Sequence, residues 1–343
     1  MKTRVKFPIV ICLILAICGA ARGAERLALP DLWVVDAHSH VLHGGKEFAD
    51  LLEVMDRNHV QMMGVSGLTW DDADKQVSEA ACSEPDRFAP FLRGFEPDRG
   101  YSIDYVRNKL ASGKFKGVGE LFVNGHGRKL VGDNPVLMEI YRIAGEYQVP
   151  VLLHWTLGSE NPREPGTRES FQQLKHVLAM NASTTFILGH CGKGPPPCRK
   201  EFVPILDHLL TRFPNLVLDL SGIQDDLIRP DDSLTDFGET IFKLMEKFPT
   251  RFLLGFDLVE PGNPASNADG VVKRYRELLV GLSRQNAVLI GRTNALNIFG
   301  RCRNKSLEHR REPIRIRGDK GFLPLEYPVP DSPLDGRPWY SDN

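Results

Sequence analysis

The chain has 343 residues, of which 42% are hydrophobic and 25% charged, and its formal net charge is -1. That length and apolar content support a large buried core and exclude a disordered or fibrous polypeptide. A near-neutral balance also excludes the basic field with which proteins hold long nucleic acids or anionic lipid surfaces, so the expected partner is a small-molecule substrate.

In chain order, the first segment is a targeting signal. Lys2, Arg4 and Lys6 precede an apolar stretch from Phe7 to Ala21, followed by small residues at Gly23 and Ala24. This is the pattern of a secretory signal peptide over residues 1–23, cut after Ala21 or Gly23, and the run is short for a bilayer span of about 20 apolar residues. The sequence therefore predicts an exported protein, periplasmic or extracellular, with no membrane association once the signal is removed. Export permits disulfides. Of the six cysteines, Cys82, Cys191, Cys198 and Cys302 lie beyond the signal, and Cys191 and Cys198 flank a Gly- and Pro-rich loop that is able to bring them together.

Residues 30–300 read as one α/β domain. Apolar runs near 33–40, 60–66, 89–95, 115–122, 149–154, 184–190, 215–220 and 251–257 are each followed by a stretch long enough for a helix. Strands alternating with helices imply a parallel sheet. One helix is plainly marked: Asp133 or Asn134 caps it, Pro135 suits its first turn, and Val136, Ile140, Ile143, Ala144 and Tyr147 share a face. Phe213-Pro214 and Phe248-Pro249 end two later helices, because proline disfavours the helical conformation in the residue before it. Eight units of this kind predict a (β/α)8 TIM barrel closed by a last helix over residues 288–299. The Arg- and Pro-rich residues 301–343 read as an extended C-terminal tail.

Six potential metal ligands end separate apolar runs: His38 and His40, Glu120, His154, His190 and Asp257. A lone His-x-His is a weak signal. At the end of a first strand, with four further donors ending later strands, it becomes a strong one, since barrel enzymes build their sites at that edge. An open sheet would bind at one switch point; ligands spread over strands 1, 4, 5, 6 and 8 converge only in a closed ring. Mixed imidazole and carboxylate donors suit a divalent ion, zinc foremost, with manganese or iron also accommodated. Such an ion lowers the pKa of its bound water toward about 7. The sequence contains no Gly-x-Ser-x-Gly elbow.

Asp36-Ala37-His38-Ser39-His40, Gly119-Glu120, His154, His190, Asp257 and Asn294-Ala295-Leu296-Asn297-Ile298-Phe299 together resemble the amidohydrolase superfamily, in its amidohydrolase-related branch. The resemblance implies a metal-dependent hydrolase acting on a small amide, lactone or ester. It places His38, His40 and Asp257 on a first metal, lets His154 and His190 serve either metal, and makes Asp257 the general base, with His190 a further catalytic group. Glu120 stands where many relatives carry a carboxylated lysine, and the set is similar to the binuclear site of the metal-dependent deoxyribonuclease branch, in which the glutamate bridges. One or two ions per chain are thus expected. A competing reading pairs Glu120 with an arginine such as Arg93 and leaves one metal on His38, His40, His154 and Asp257. Alternative activities are non-oxidative decarboxylation, as in aminocarboxymuconate-semialdehyde decarboxylase and its relatives, and phosphoester hydrolysis at a binuclear site. Lys193, Arg199, Arg163 and Arg168 are candidate anion contacts, and Trp155 and His126 sit on loops expected to border the pocket, as substrate contacts or, more often for an aromatic beside a strand end, as packing. His43, His59, His176 and His208 fall outside the strand-end pattern and read as structural or surface residues. Oligomeric state is left open.

Overall fold

The computed structural model describes residues 32–42, 46–68, 72–125, 128–157, 167–192, 202–259 and 267–300. The expected signal peptide, the tail, His43, His126, Arg163, Lys193, Cys198 and Arg199 lie outside these residues. Eight strands form one parallel sheet in the order β1 (Val34–Val41), β2 (Val60–Gly67), β3 (Phe88–Leu92), β4 (Gly117–Phe122), β7 (Val151–His154), β8 (Phe186–Leu188), β9 (Leu216–Asp219) and β10 (Phe252–Leu253). A short antiparallel hairpin, β5 (Asn124–Gly125) with β6 (Arg128–Lys129), leaves the end of β4. The ring closes where the chain after β10 runs beside β1. There the amides of Ala37 and His40 donate to the Leu254 and Leu258 carbonyls (2.8 Å each), and the Asp257 amide donates to the His38 carbonyl (2.6 Å). This is the barrel expected from the sequence.

Helices α1 (Lys46–Arg57), α2 (Ala73–Ser83), α3 (Tyr101–Ala111), α4 (Pro135–Tyr147), α5 (Thr167–Met180) and α6 (Phe202–Arg212) occupy the crossovers. After β9 come the short α7 (Gln224–Leu227) and α8 (Asp236–Lys247), and after β10 come α9 (Ala268–Val280), α10 (Arg284–Val288) and α11 (Asn294–Phe299). Each amphipathic crossover buries one stripe against the sheet; in α1 it is Phe48, Leu51, Val54 and Met55. The α4 cap is Asn134, whose side chain accepts from the amides of Val136 and Leu137 at 3.0 Å each. Helices α6 and α8 stop at Arg212 and Lys247, just ahead of the two Phe-Pro pairs. The closing segment is longer than the sequence indicated, because a π-helical turn (Leu289–Thr293) joins α10 to α11.

Two apolar layers result. The larger lies between sheet and helices. The smaller fills the barrel interior with Val35, Ala37, Ala89, Phe91, Leu152, Ile187, Val217 and Leu253, and is closed from below by Ala295, Ile298 and Phe299 of α11. Phe299 meets Phe91 edge to face at 5.7 Å. The Asn294 amide donates to the carbonyls of Pro249 and Phe252, which fastens α11 to the start of β10.

From this inner layer, strict alternation of side chains carries β7 from Leu152 to His154 and β9 from Val217 to Asp219, whereas Asp257 lies past the end of β10 on a left-handed backbone. Alternation alone would turn His38, His40 and Glu120 outward. Two irregularities reverse it. Asp36 to Ser39 on β1 spans the partners Met63 to Val65, and Val118 to Leu121 on β4 spans Val151 to Leu153. In both places one strand carries one extra residue, so the parity flips. Gly119, in the β4 bulge, has φ +118°, and a Cβ there would lie 2.2 Å from the Leu152 carbonyl oxygen. Only glycine fits that turn.

Candidate metal centre

All six sequence-predicted residues meet at the C-terminal mouth of the barrel. The two oxygens of Glu120 face two different pairs of imidazoles. Oε2 lies 3.5 Å from His38 Nε2 and 3.4 Å from His40 Nε2. Oε1 lies 2.8 Å from His154 Nδ1 and 3.2 Å from His190 Nε2. Asp257 Oδ1 joins the first pair, 3.5 Å from His40 Nε2 and 3.9 Å from His38 Nε2. The donor atoms of His38, His40 and Glu120, and those of Glu120, His154 and His190, each fall within 4.8 Å of one another, which suits a shared cation. Within each imidazole pair the facing nitrogens are close, 3.0 Å for His38 and His40 and 3.1 Å for His154 and His190. Arg93, the competing partner considered for Glu120, donates from Nε to the Glu120 carbonyl (3.1 Å) and stacks over Phe122.

Outward of the donors lies a set of polar residues that fixes ring orientation. His38 Nδ1 is 3.0 Å from Asp219 Oδ2, and His40 Nδ1 is 2.9 Å from Ser66 Oγ. Each ring therefore presents Nε2 to the site. Asp36 Oδ1 accepts from the amides of His38 and Phe256 (2.9 Å each) and its Oδ2 from Ser39 Oγ (2.5 Å), tying β1 to the chain after β10. His190 and Asp257 both have left-handed backbones, φ 54° and 53°, uncommon for such residues and frequent at functional sites. Gly222 leaves room between them: a Cβ there would sit 3.2 Å from both Asp257 Oδ2 and His190 Nδ1.

Burial and charge oppose each other here. Burial works against the Glu120 carboxylate, yet His38 foremost, then His154 and His190, hold it well below the usual range. Burial likewise disfavours a charged His38, but Glu120 and Asp219 lift it well above 6.5. His40 moves the other way, lowered mainly by burial. Asp36 is pushed up to about 7, again chiefly by burial. The side chains of His38, His40 and Glu120 are almost sealed, His154 and His190 are 12% and 13% exposed, and Asp257 is 30% exposed.

The sequence model of the amidohydrolase family matches residues 48–301. This chain belongs to the amidohydrolase family. The matched segment starts after His38 and His40, which the barrel itself brings into the site. No curated protein matches this chain in sequence. Among solved structures, a probable 2-pyrone-4,6-dicarboxylic acid hydrolase from Acinetobacter baumannii with citric acid bound is 15% identical, with TM-score 0.58 over 78% of this chain and 100% of that one. An amidohydrolase from Burkholderia multivorans with bound zinc is 14% identical, with TM-score 0.59 over 78% and 99%. A 5-carboxyvanillate decarboxylase from Novosphingobium aromaticivorans with manganese and a nitrobenzoic acid ligand is 13% identical, with TM-score 0.51 over 81% and 97%. At such identities the likeness is one of fold.

Sequence reading missed Asp219 and Ser221. The signal was present: Asp219 ends the apolar run Leu216-Val217-Leu218, as the six candidates end theirs. Of the other candidates, Trp155 is buried, its indole N–H donating to Ser170 Oγ (2.6 Å), so it packs rather than lining the pocket. His176 pairs with Asp133 at 2.8 Å, a structural role as expected. Phe256 is buried and stacks on Tyr275, away from the site that Asp257 faces. Cys191 is buried, and its thiol donates to the Asp219 carbonyl at 3.3 Å; whether it pairs with Cys198, which the sequence left open, falls outside the described residues.

Proposed function

We propose that this amidohydrolase is a metal-dependent hydrolase of small amides, lactones or esters, with zinc as the preferred ion. The supporting observation is the split carboxylate of Glu120, each oxygen aimed at its own pair of imidazoles. Two ions fit this donor set better than one, and Glu120 would offer one oxygen to each. His38, His40 and Asp257 would hold one ion and His154 and His190 the other. A divalent ion bound there supplies Lewis acidity to the scissile carbonyl and acidifies water at neutral pH.

The remaining work falls to the side chains. Asp257, the most exposed of the six, stands at the mouth with Oδ1 toward the histidine pair and Oδ2 toward Gly222. Its Oδ2 accepts the proton of the attacking water and returns it to the leaving group. His190, hydrogen-bonded through Nδ1 to the Ser221 carbonyl (2.8 Å), keeps Nε2 toward Glu120 and the reacting centre.

A second reading, non-oxidative decarboxylation, is favoured by the similarity in fold to 5-carboxyvanillate decarboxylases. Elemental analysis of purified protein, joined to an ester, lactone, dipeptide, phosphoester and aromatic-acid panel, separates the two. Close to two ions with hydrolysis supports the first reading. One ion with carbon dioxide release replaces it with the second, and activity that persists after the metal is stripped overturns both. We further propose export after removal of residues 1–23, tested by N-terminal sequencing of protein from fractionated cells; an intact N-terminus in the cytoplasm rejects it.

A further inference from the structure

Strand β9, one of three that contribute no candidate ligand, and the turn that follows it carry the only polar side chains among the described residues that touch members of both imidazole pairs from behind. Asp219 and Ser221 are both fully buried. The Asp219 carboxylate has four hydrogen-bonding contacts. Its Oδ2 meets His38 Nδ1 at 3.0 Å, and its Oδ1 accepts the His190 amide at 3.1 Å, the Ser221 amide at 2.9 Å and the Ser221 hydroxyl. Ser221 Oγ in turn lies 2.9 Å from His38 Nδ1 and 3.0 Å from His190 Nδ1. The last residue of β9 and one from the turn after it thus grip one residue from β1 and one from the turn after β8, far apart in sequence.

Each contact constrains something definite. The bond at Nδ1 directs the lone pair of His38 Nε2 into the pocket. The bond to the His190 amide holds that residue in its left-handed conformation (φ 54°), from which Nε2 reaches Glu120. Gly255 makes the grip possible, since a Cβ there would lie 2.8 Å from Ser221 Cβ, 3.0 Å from His38 Cβ and 3.2 Å from Asp219 Oδ1. A buried carboxylate whose contacts include two ligand-bearing residues is better suited to aiming those residues than to general packing.

We infer that Asp219 and Ser221 form a positioning clamp that couples the two halves of the metal centre, so that loosening it weakens both ions together. The inference rests on the two-ion reading above. The test is metal affinity rather than turnover: competition of zinc and cobalt with a chromogenic chelator, and the visible spectrum of the cobalt-loaded protein, for wild type, Asp219→Asn and Ser221→Ala. Asn294→Ala, at the opposite end of the barrel, is the comparison for a buried polar group lost away from the metal.

Expected for Asp219→Asn is a loss of about 10–100-fold in affinity for both ions with an altered cobalt spectrum. Asn294→Ala should lower the melting temperature and leave affinity unchanged. Wild-type affinity in Asp219→Asn, or loss of one ion alone, overturns the clamp while leaving the metal reading intact. A wild type that binds no ion overturns both. Should Asp219→Asn fail to fold, Ser221→Ala decides: weaker binding of both ions supports the clamp and unchanged binding rejects it.

Discussion

The two ends of the barrel are made by the same eight strands and could hardly differ more. At the N-terminal end, Phe91, Leu152, Ile187, Val217 and Leu253 pack on Ile298 and Phe299 with nothing ionisable in that cluster. A few residues further along, six imidazole or carboxylate groups and Asp219 stand close enough to repel or pair. The apolar end carries stability and asks little of exact geometry; the charged end depends on orientation and is held by bulges, left-handed residues and a ring of outer hydrogen bonds. Substitutions should therefore sort by end, with metal binding and turnover lost at the mouth and folding stability lost at the plug.

The largest effect is expected for Glu120→Ala, which removes the group common to both halves: bound metal should fall below one ion per chain by elemental analysis, and turnover should vanish with it. Asp257→Asn should keep the fold and cost about 10²–10⁴-fold in kcat, the range of a lost general base, measured on whichever substrate the panel identifies. At the other end, Phe299→Ala should cost about 3–5 kcal/mol by denaturant unfolding while metal content per folded chain stays at the wild-type value. A strong loss of metal there would break the division between the ends. Ser66→Ala frees Nδ1 of His40 and should weaken metal affinity by about 10–100-fold, sharpening the claim that outer hydrogen bonds set the mouth.

The smallest effect lies on the helical exterior. Glu139 is held below its ordinary value of 4.5, first by its hydrogen bond to Arg142. Because the folded pKa is the lower one, the stability this carboxylate adds is complete above about pH 4.5 and disappears as pH falls through the folded value. The pair is partly exposed, so Glu139→Gln should cost only about 0.2–1 kcal/mol at neutral pH and progressively less as the medium is acidified, read from urea midpoints at neutral and acidic pH.

Much of this was legible in the sequence. Eight apolar runs located the strands, Phe-Pro pairs marked two helix ends, and the donors that end the runs named the site. Asp257 is turned by its left-handed backbone past the end of β10. Alternation accounts for His154 directly, since it follows the inward Leu152 by an even step. It does not account for His38, His40 or Glu120, which depend on one extra residue in β1 and another in β4, and a register shift leaves no mark except, at Gly119, the glycine itself. Asp219 was visible by the same rule as the six, yet its task is to orient other side chains, and orientation is a property of the assembled ring rather than of a run of letters. The Arg93 alternative also needed coordinates, because the arginine reaches the main-chain oxygen of Glu120 while the carboxylate turns to the histidines.

The α11 plug has a kinetic consequence. With Phe299 and Ile298 filling the floor, the barrel is shut at that end, and whatever reaches the donor cluster would have to come and go by the opposite face. A product still held there would occupy the place of the next substrate, and inhibition by product is expected to be competitive.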